Sequence, residues 1–153
     1  MWCPSLDLIS QALPLGTGLA RLALLVGEHL RADRCDVLLY DRGTDELVLQ
    51  VDAEIESGPD VRLRLGDGLT GLAASRQRTI QVQQMHRDPR SVDFGEPSDF
   101  RSLIAFPIVE DEELVGVCTL QTEQERCFSD EEVDFLETTI RPLLVVMITL
   151  ARS

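Results

Sequence analysis

The chain has 153 residues, a net charge of −13 and no lysine at all, every basic residue being arginine. That length suits one domain with a real core, and the absence of a basic patch or stripe argues against direct contact with DNA or RNA. Four cysteines without CxxC or other metal-ligand spacing argue against a structural zinc site or any other metal centre.

Leu6 to Leu13 and Leu19 to Leu30 read as helices separated by Pro14-Leu-Gly-Thr-Gly18. In the second, Leu19, Leu22, Ala23, Val26 and Leu30 follow helical spacing and form one apolar stripe. His29 borders the stripe near the C-terminal end, where a cation is favourable. Met1-Trp2-Cys3-Pro4 has neither a basic start nor a long apolar run, so no signal peptide is expected and the protein is read as cytoplasmic.

Cys35 to Tyr40 is an apolar strand and Asp41 to Asp45 a turn by composition. Leu47, Leu49, Val51 and Ala53 alternate with polar residues, which predicts a half-exposed strand pairing back on the first. Glu54 to Asp60 is an acidic loop, and Val61, Leu63 and Leu65 mark a third strand. Gly66-Asp-Gly-Leu-Thr-Gly71 then opens a short helix. Its first N–H groups could bind an anion; the plainer reading is a turn that needs positive φ. Thr79 to Val82 is a short strand, and Gln83 to Arg101 is a long polar connection containing Met85, His86, Phe94 and Phe100. Loops of that length are commonly lids or binding loops, so this one is read as a pocket roof.

Ser102 to Gln121 reads as a hairpin of two apolar strands about the acidic turn Glu110 to Glu113. Pairing about that turn sets Val109 against Leu114, Pro107 against Gly116, Ala105 against Cys118 and Leu103 against Leu120. The other face then carries Ile108 with Val115, Phe106 with Val117, Ile104 with Thr119 and Ser102 with Gln121. Neither face is charged, so the hairpin is expected to be buried on both sides, the face ending in hydroxyls and an amide forming a pocket floor. Cys35 and Cys118 are read as small core residues.

Ser129 and Glu132 form a capping box for a terminal helix starting at Asp130, with Phe128 and Val133 placed as a hydrophobic staple. Val133, Leu136, Ile140, Leu143, Met147 and Leu150 alternate steps of three and four, a coiled-coil-like seam expected to meet a second copy of the chain. Pro142 is expected to kink the helix or change its packing. The helix is too short and too polar upstream to span a membrane.

The order of elements, together with Leu65-Gly-Asp-Gly-Leu-Thr-Gly71, Asp88-Pro-Arg90, Ser102 to Ile108, Leu114-Val-Gly-Val117 and Phe128 to Val133, resembles a GAF domain. The resemblance covers most of the chain, read as a single domain over residues 1–153 with its core at about 18–151. It implies a GAF-like (PAS-like) α+β fold, with a central antiparallel sheet of about six strands. The terminal helices would pack on one face and a small-molecule pocket would lie on the other. It further implies a homodimer through the terminal helices and a sensory role in a bacterial regulator. Thr119 stands where many relatives have asparagine. The short signature of cyclic-GMP-binding relatives and the chromophore-attaching Cys-His pair have no counterpart, so the resemblance names no cofactor. One branch of the family reduces free methionine sulfoxide with a cysteine between the glycines of the helix-start turn, and here that position is Thr70.

These readings converge on a non-enzymatic ligand sensor, with Thr70, Met85, Phe94, Phe100, Ser102, Ile104, Thr119 and Gln121 lining the pocket. Ligand would close the Gln83 to Arg101 loop and shift the terminal helices, passing the change to a partner or output domain. The alternatives are a purely structural dimerisation module and a thiol enzyme (free methionine sulfoxide reductase-like) or redox switch using Cys118 or Cys127, for which only Arg126 is a neighbouring cation in sequence.

Overall fold

The computed structural model describes residues 15–52, 62–87 and 100–152. Strands β1 (Arg34–Asp41), β2 (Glu46–Asp52), β3 (Arg62–Arg64), β4 (Ile80–Val82), β5 (Ser102–Glu110) and β6 (Glu113–Thr122) form one sheet. Their order is β3-β2-β1-β6-β5-β4, and every neighbouring pair is antiparallel. Helix α1 (Leu15–Leu30) and the terminal helix cover one face. The short helix α2 (Gly68–Arg76) covers the other. This is the α+β architecture that the sequence implied. The expected helix over Leu6 to Leu13 lies outside the described residues.

Each face of the sheet closes its own apolar cluster. On the helix side, Leu19, Ala23, Val26 and Leu30 of α1 meet Cys35, Val37, Ile104, Phe106, Ile108, Cys118 and Leu120. Leu22 is only half-buried at the margin of this stripe. On the α2 side, Leu69, Ala73 and Ala74 cover Leu38, Leu47, Leu49, Leu103, Ala105 and Val117. Helix α1 begins at Leu15 rather than Leu19, taking Gly16 and Gly18 into its first turns. Each glycine in a helix costs about 1 kcal/mol relative to alanine, a deficit that burial of the α1 stripe on the sheet offsets.

The hairpin keeps the expected register only next to its turn, where Glu110 faces Glu113 and Val109 faces Leu114. Beyond that the ladder shifts. Val115 is an extra residue on β6, Ile108 pairs with Gly116, and the pairs that follow are Pro107–Val117, Phe106–Cys118, Ala105–Thr119, Ile104–Leu120, Leu103–Gln121 and Ser102–Thr122. Side chains alternate with a period of two, so one added residue exchanges the faces of β6. The cause is local. Gly116 is pressed against β1, where a Cβ would come within 2.3 Å of the Leu38 carbonyl oxygen, and the bulge carries Val115 onto the helix-side cluster. Pro107 lies past the end of β4, which pairs only Leu103 to Ala105, so β5 has a single neighbour there.

The terminal helix starts as expected. The Ser129 hydroxyl accepts from the Glu132 N–H at 3.1 Å, and Glu132 Oε1 accepts from the Ser129 N–H at 2.9 Å. Six residues on, the helix widens. Segment α3 (Asp130–Phe135) passes into a π turn over Leu136–Ile140 and continues as α4 (Arg141–Arg152). The Arg141 N–H reaches the Leu136 carbonyl, five residues back. Pro142 has no N–H to give Thr138, and its ring would crowd that carbonyl in a regular helix. The widened turn is the form that the expected irregularity takes. It also resets the phase of the apolar stripe: Leu136, Ile140, Leu144 and Ile148 face the sheet, each 5 % exposed or less. Of the seam expected to meet a second copy, Leu136 and Ile140 are therefore core residues of the monomer. Val133 and Met147 pack half-buried beside them, and Leu143 is also half-buried. Leu150 alone is fully on the surface, at 58 % exposed.

Candidate functional site

The α2 face of the sheet is apolar over most of its area and turns polar at one end. Along β1 the residues on this face are Arg34, Asp36, Leu38 and Tyr40; along β6 they are Val117, Thr119 and Gln121. Leu38 is opposite Val117, Asp36 opposite Thr119 and Arg34 opposite Gln121. On the other side of β6, Ala105 is opposite Thr119 and Leu103 opposite Gln121. Directly opposed residues have Cβ atoms about 5 Å apart. Four polar side chains therefore form one compact patch beside an apolar wall.

Burial distinguishes the members of the patch. Thr119 is 3 % exposed. Asp36 is 8 % exposed, and its Oδ2 accepts from Arg34 Nε at 2.9 Å. Buried hydroxyls and carboxylates are normally bonded. A charged pair, a hydroxyl and an amide converging on one sheet end can fix the orientation of a small polar molecule.

The predicted pocket residues are only partly brought together. Thr119 and Gln121 share this face, and Met85, in a turn over Met85–Arg87, packs against its apolar cluster. Thr70 is half-buried on α2. Phe100 is half-buried just ahead of β5, and Phe94 lies outside the described residues. Two expectations are corrected by the register shift. Ile104 is fully buried on the opposite face, in the helix-side core. Ser102 is also on that side, where its hydroxyl donates to the Gln83 carbonyl at 2.7 Å and accepts from the Arg126 N–H at 2.9 Å. That hydroxyl ties the end of β4 to the entry of the terminal helix. Arg34 and Asp36 were missed in the sequence, although charged residues alternating with Cys35 and Val37 are the signature of a strand whose second face is polar.

The glycine-rich turn has the plainer of its two readings. Gly66 and Gly68 have φ of +90° and +65°, a conformation that favours glycine. The Gly66 N–H donates to the Gly71 carbonyl at 2.8 Å. A Cβ on Gly71 would come within 2.6 Å of the Arg64 carbonyl oxygen, so this glycine allows α2 to seat against β3.

The sulfur atoms lie elsewhere. Cys35 and Cys118 are buried in the helix-side core with Sγ atoms 3.8 Å apart. The neighbouring Cys35 thiol, together with burial, pushes the Cys118 thiol well above its ordinary range. Such a thiol is a poor nucleophile. Cys127 is exposed, and its thiol donates to the Phe128 carbonyl at 3.6 Å. Its sequence neighbour Arg126 points away, bonding both carboxylate oxygens of Glu132 and the Leu30 carbonyl.

On the outer side of the helix layer, Leu22, Leu25, Val26, His29, Phe135 and Ile140 line an open groove of about 500 Å³ between α1 and the terminal helix. Leu24, Leu25, Val146 and Leu150 are 49–61 % exposed on these helices. Among the described residues no helix is long and apolar enough to cross a membrane.

A two-cluster antiparallel sheet with terminal helices on one face and a short helix above a polar patch on the other defines a small α+β fold. The chain belongs to the GAF domain family, whose model matches residues 17–144. No curated protein matches it in sequence. Among solved structures it is similar to the GAF domain of a phosphoenolpyruvate-protein phosphotransferase from Coxiella burnetii, with 27 % identity, a TM-score of 0.85, and 95 % of this chain and 89 % of that one covered. The corresponding domain from Acinetobacter has 24 % identity and a TM-score of 0.82 at the same coverage. The free methionine-R-sulfoxide reductase from Neisseria meningitidis, solved with its substrate, has 23 % identity and a TM-score of 0.78, with 95 % and 84 % covered. The last two likenesses concern the fold alone.

Proposed function

We propose that this GAF domain is a non-enzymatic sensor that binds a small molecule on the α2 face of its sheet and signals through its terminal helices. The observation that carries this reading is the polar end of that face, where Thr119, 3 % exposed, stands opposite Asp36 on β1 and two residues from Gln121 on β6. Binding rather than catalysis is favoured by Thr70, at the position matching the reductase cysteine. It is favoured also by Cys35 and Cys118, which lie in the helix-side core rather than on that face.

The output side of the reading is a homodimer. Its contacts are Leu24, Leu25, Val146 and Leu150 with the groove beside His29 and Phe135, in place of Leu136 and Ile140. A ligand acts through such an interface only if it distinguishes two arrangements of the helices. The groove equally suits a dimerisation module without ligand, and two measurements separate the readings. A thermal-shift screen against nucleotides, cyclic nucleotides, 2-oxo acids and amino acids is expected to give one active class; a flat screen leaves only the dimerisation module. Sedimentation equilibrium is expected to show a dimer that Leu25→Glu and Leu150→Glu dissociate. A monomer in the unmodified chain would remove the interface from the reading.

A further inference from the structure

Helix α1 begins at Leu15, and the stretch ahead of it differs from the rest of the chain. In a sequence with 27 % charged residues, positions 1–14 carry one charged side chain, Asp7, and the large apolar residues Met1, Trp2, Leu6, Leu8, Ile9 and Leu13. Trp2, Leu6, Ile9 and Leu13 recur at steps of four, three and four, the spacing of one helical stripe. Ser5 suits the N-cap of a helix over Leu6 to Leu13. Pro14 has no N–H to give the Ser10 carbonyl and disfavours helical backbone at Leu13, so the stripe does not run on into α1 as one straight helix.

The groove between α1 and the terminal helix has the length and lining that this stripe needs. Its α1 wall runs from Leu22 to His29, about 10–21 Å along the helix from Leu15. A helix over Leu6 to Leu13 laid antiparallel on α1 is about 12 Å long, and Trp2 can stand up to about 13 Å further on. The stripe thus reaches Leu22 and Leu25, the latter 61 % exposed. Trp2 reaches the ring pair of His29 and Phe135, whose centroids are 5.1 Å apart. An indole packs on such rings and brings an N–H that the groove's Glu28 carboxylate can accept.

Charge and tethering choose between this segment and a second copy as the occupant. Two copies of a chain of net charge −13 repel one another. The segment has a single negative side chain, and its linkage to α1 holds it near the groove at an effective concentration of about 1 mM.

We infer that residues 2–13 fold back as a strap into this groove of their own chain, with Leu6, Ile9 and Leu13 on its apolar floor and Trp2 against His29 and Phe135. A second copy must displace the strap to dimerise. The seating stands independently of the function proposed above; only the competition rests on the dimer reading.

Trp2 is the only tryptophan of the sequence, so tryptophan emission from the full 153-residue chain reports this segment alone. At a concentration where sedimentation gives a monomer, the emission is expected to be blue-shifted and acrylamide quenching several-fold weaker than in urea. Leu25→Glu and Ile9→Asp, on the two sides of the contact, are each expected to bring both readings to the unfolded-chain values. Leu150→Glu, outside the groove, is expected to leave them unchanged. Ile9→Asp is also expected to tighten the dimer by at least about tenfold, because it frees the groove. Solvent-exposed emission from the native monomer overturns the inference, and so does a buried Trp2 that Leu25→Glu leaves in place. Emission that turns blue only as the chain associates assigns the groove to the second copy instead. A dimer affinity unchanged by Ile9→Asp refutes the competition. A chain monomeric at every concentration, whose Trp2 is buried and is exposed by Leu25→Glu, removes the dimer reading and keeps the strap.

Discussion

The guanidinium of Arg126 holds both carboxylate oxygens of Glu132, at 2.9 and 2.8 Å, from across the start of the terminal helix. Its other nitrogen donates to the Leu30 carbonyl at 2.7 Å, and the group stacks on the Phe128 ring at 4.3 Å. One side chain thus closes the C-terminal end of α1 and braces the capping box of α3. Arg126→Met keeps the aliphatic stem and removes every side-chain hydrogen bond of this residue. The pair is about a quarter exposed, so solvent screening discounts it. A loss of about 1–2 kcal/mol is expected, read as a fall in Tm of roughly 3–6 °C. An unchanged Tm would show that the clamp contributes nothing.

Glu132 gives this clamp a pH dependence. Partial burial pushes its carboxyl up, but the Ser129 N–H bond and Arg126 outweigh that and hold it below the ordinary range. A folded-state value below the unfolded one, about 4.3, stabilises at higher pH and loses its effect as pH falls through the folded value. Urea midpoints of the native chain and Glu132→Gln should therefore differ at pH 7 and converge toward about pH 3. A difference that stays constant over that range would assign the effect to packing instead.

Gly116 is the narrowest point of the sheet. Any side chain there meets the Leu38 carbonyl, since Cβ would lie 2.3 Å away and β1 backbone cannot yield without opening the β1–β6 ladder. Gly116→Ala is expected to cost more than about 3 kcal/mol, whereas Gly43→Ala, whose Cβ would meet only the flexible Asp41 carboxylate at 3.3 Å, should cost under about 1 kcal/mol. Chemical denaturation of the two variants side by side measures the contrast, and equal losses would contradict the close approach.

At the hairpin tip Asp111 and Glu112 have φ of 50° and 66°, the conformation of a two-residue turn normally occupied by asparagine and glycine. Glutamate bears a steric cost there of about 1–2 kcal/mol. Glu112→Gly relieves it, at some cost in unfolded-chain entropy, for an expected net gain of about 0.5–1 kcal/mol in urea unfolding. Destabilisation would mean that the Glu112 side chain supports the turn.

Thiol accessibility should follow the two environments. Iodoacetamide at neutral pH is expected to label Cys127 in the native protein and to reach Cys35 and Cys118 only when unfolding exposes them, as peptide mass mapping would read out. Equal rates at Cys118 and Cys127 would contradict the core placement of the buried pair.

Much of this fold was legible in the chain because local signals agreed. The spacing of Leu19, Ala23, Val26 and Leu30, the Ser129–Glu132 box and the positive-φ glycines 66 and 68 each rest on a few adjacent residues, and the structure keeps them all. The candidate site was half legible. Of the residues expected to share one face, Thr119 and Gln121 lie together on the α2 side, while Ser102 and Ile104 lie on the other.

The reason lies in what each level can specify. The sequence by itself determined the number and type of most elements, their order, the buried hairpin and the acidic, lysine-free surface, because periodicity and turn chemistry are properties of short stretches. Only the tertiary structure decided the register of β6, since the bulge at Val115 answers to β1 pressing on Gly116, a strand some eighty residues away in the chain. It decided likewise that Leu136 and Ile140 face inward, because the π turn before Pro142 resets a helix phase that spacing alone takes as continuous. It also set Arg34 and Asp36 opposite Gln121 and Thr119, a juxtaposition made by strand pairing and by no feature of either segment alone.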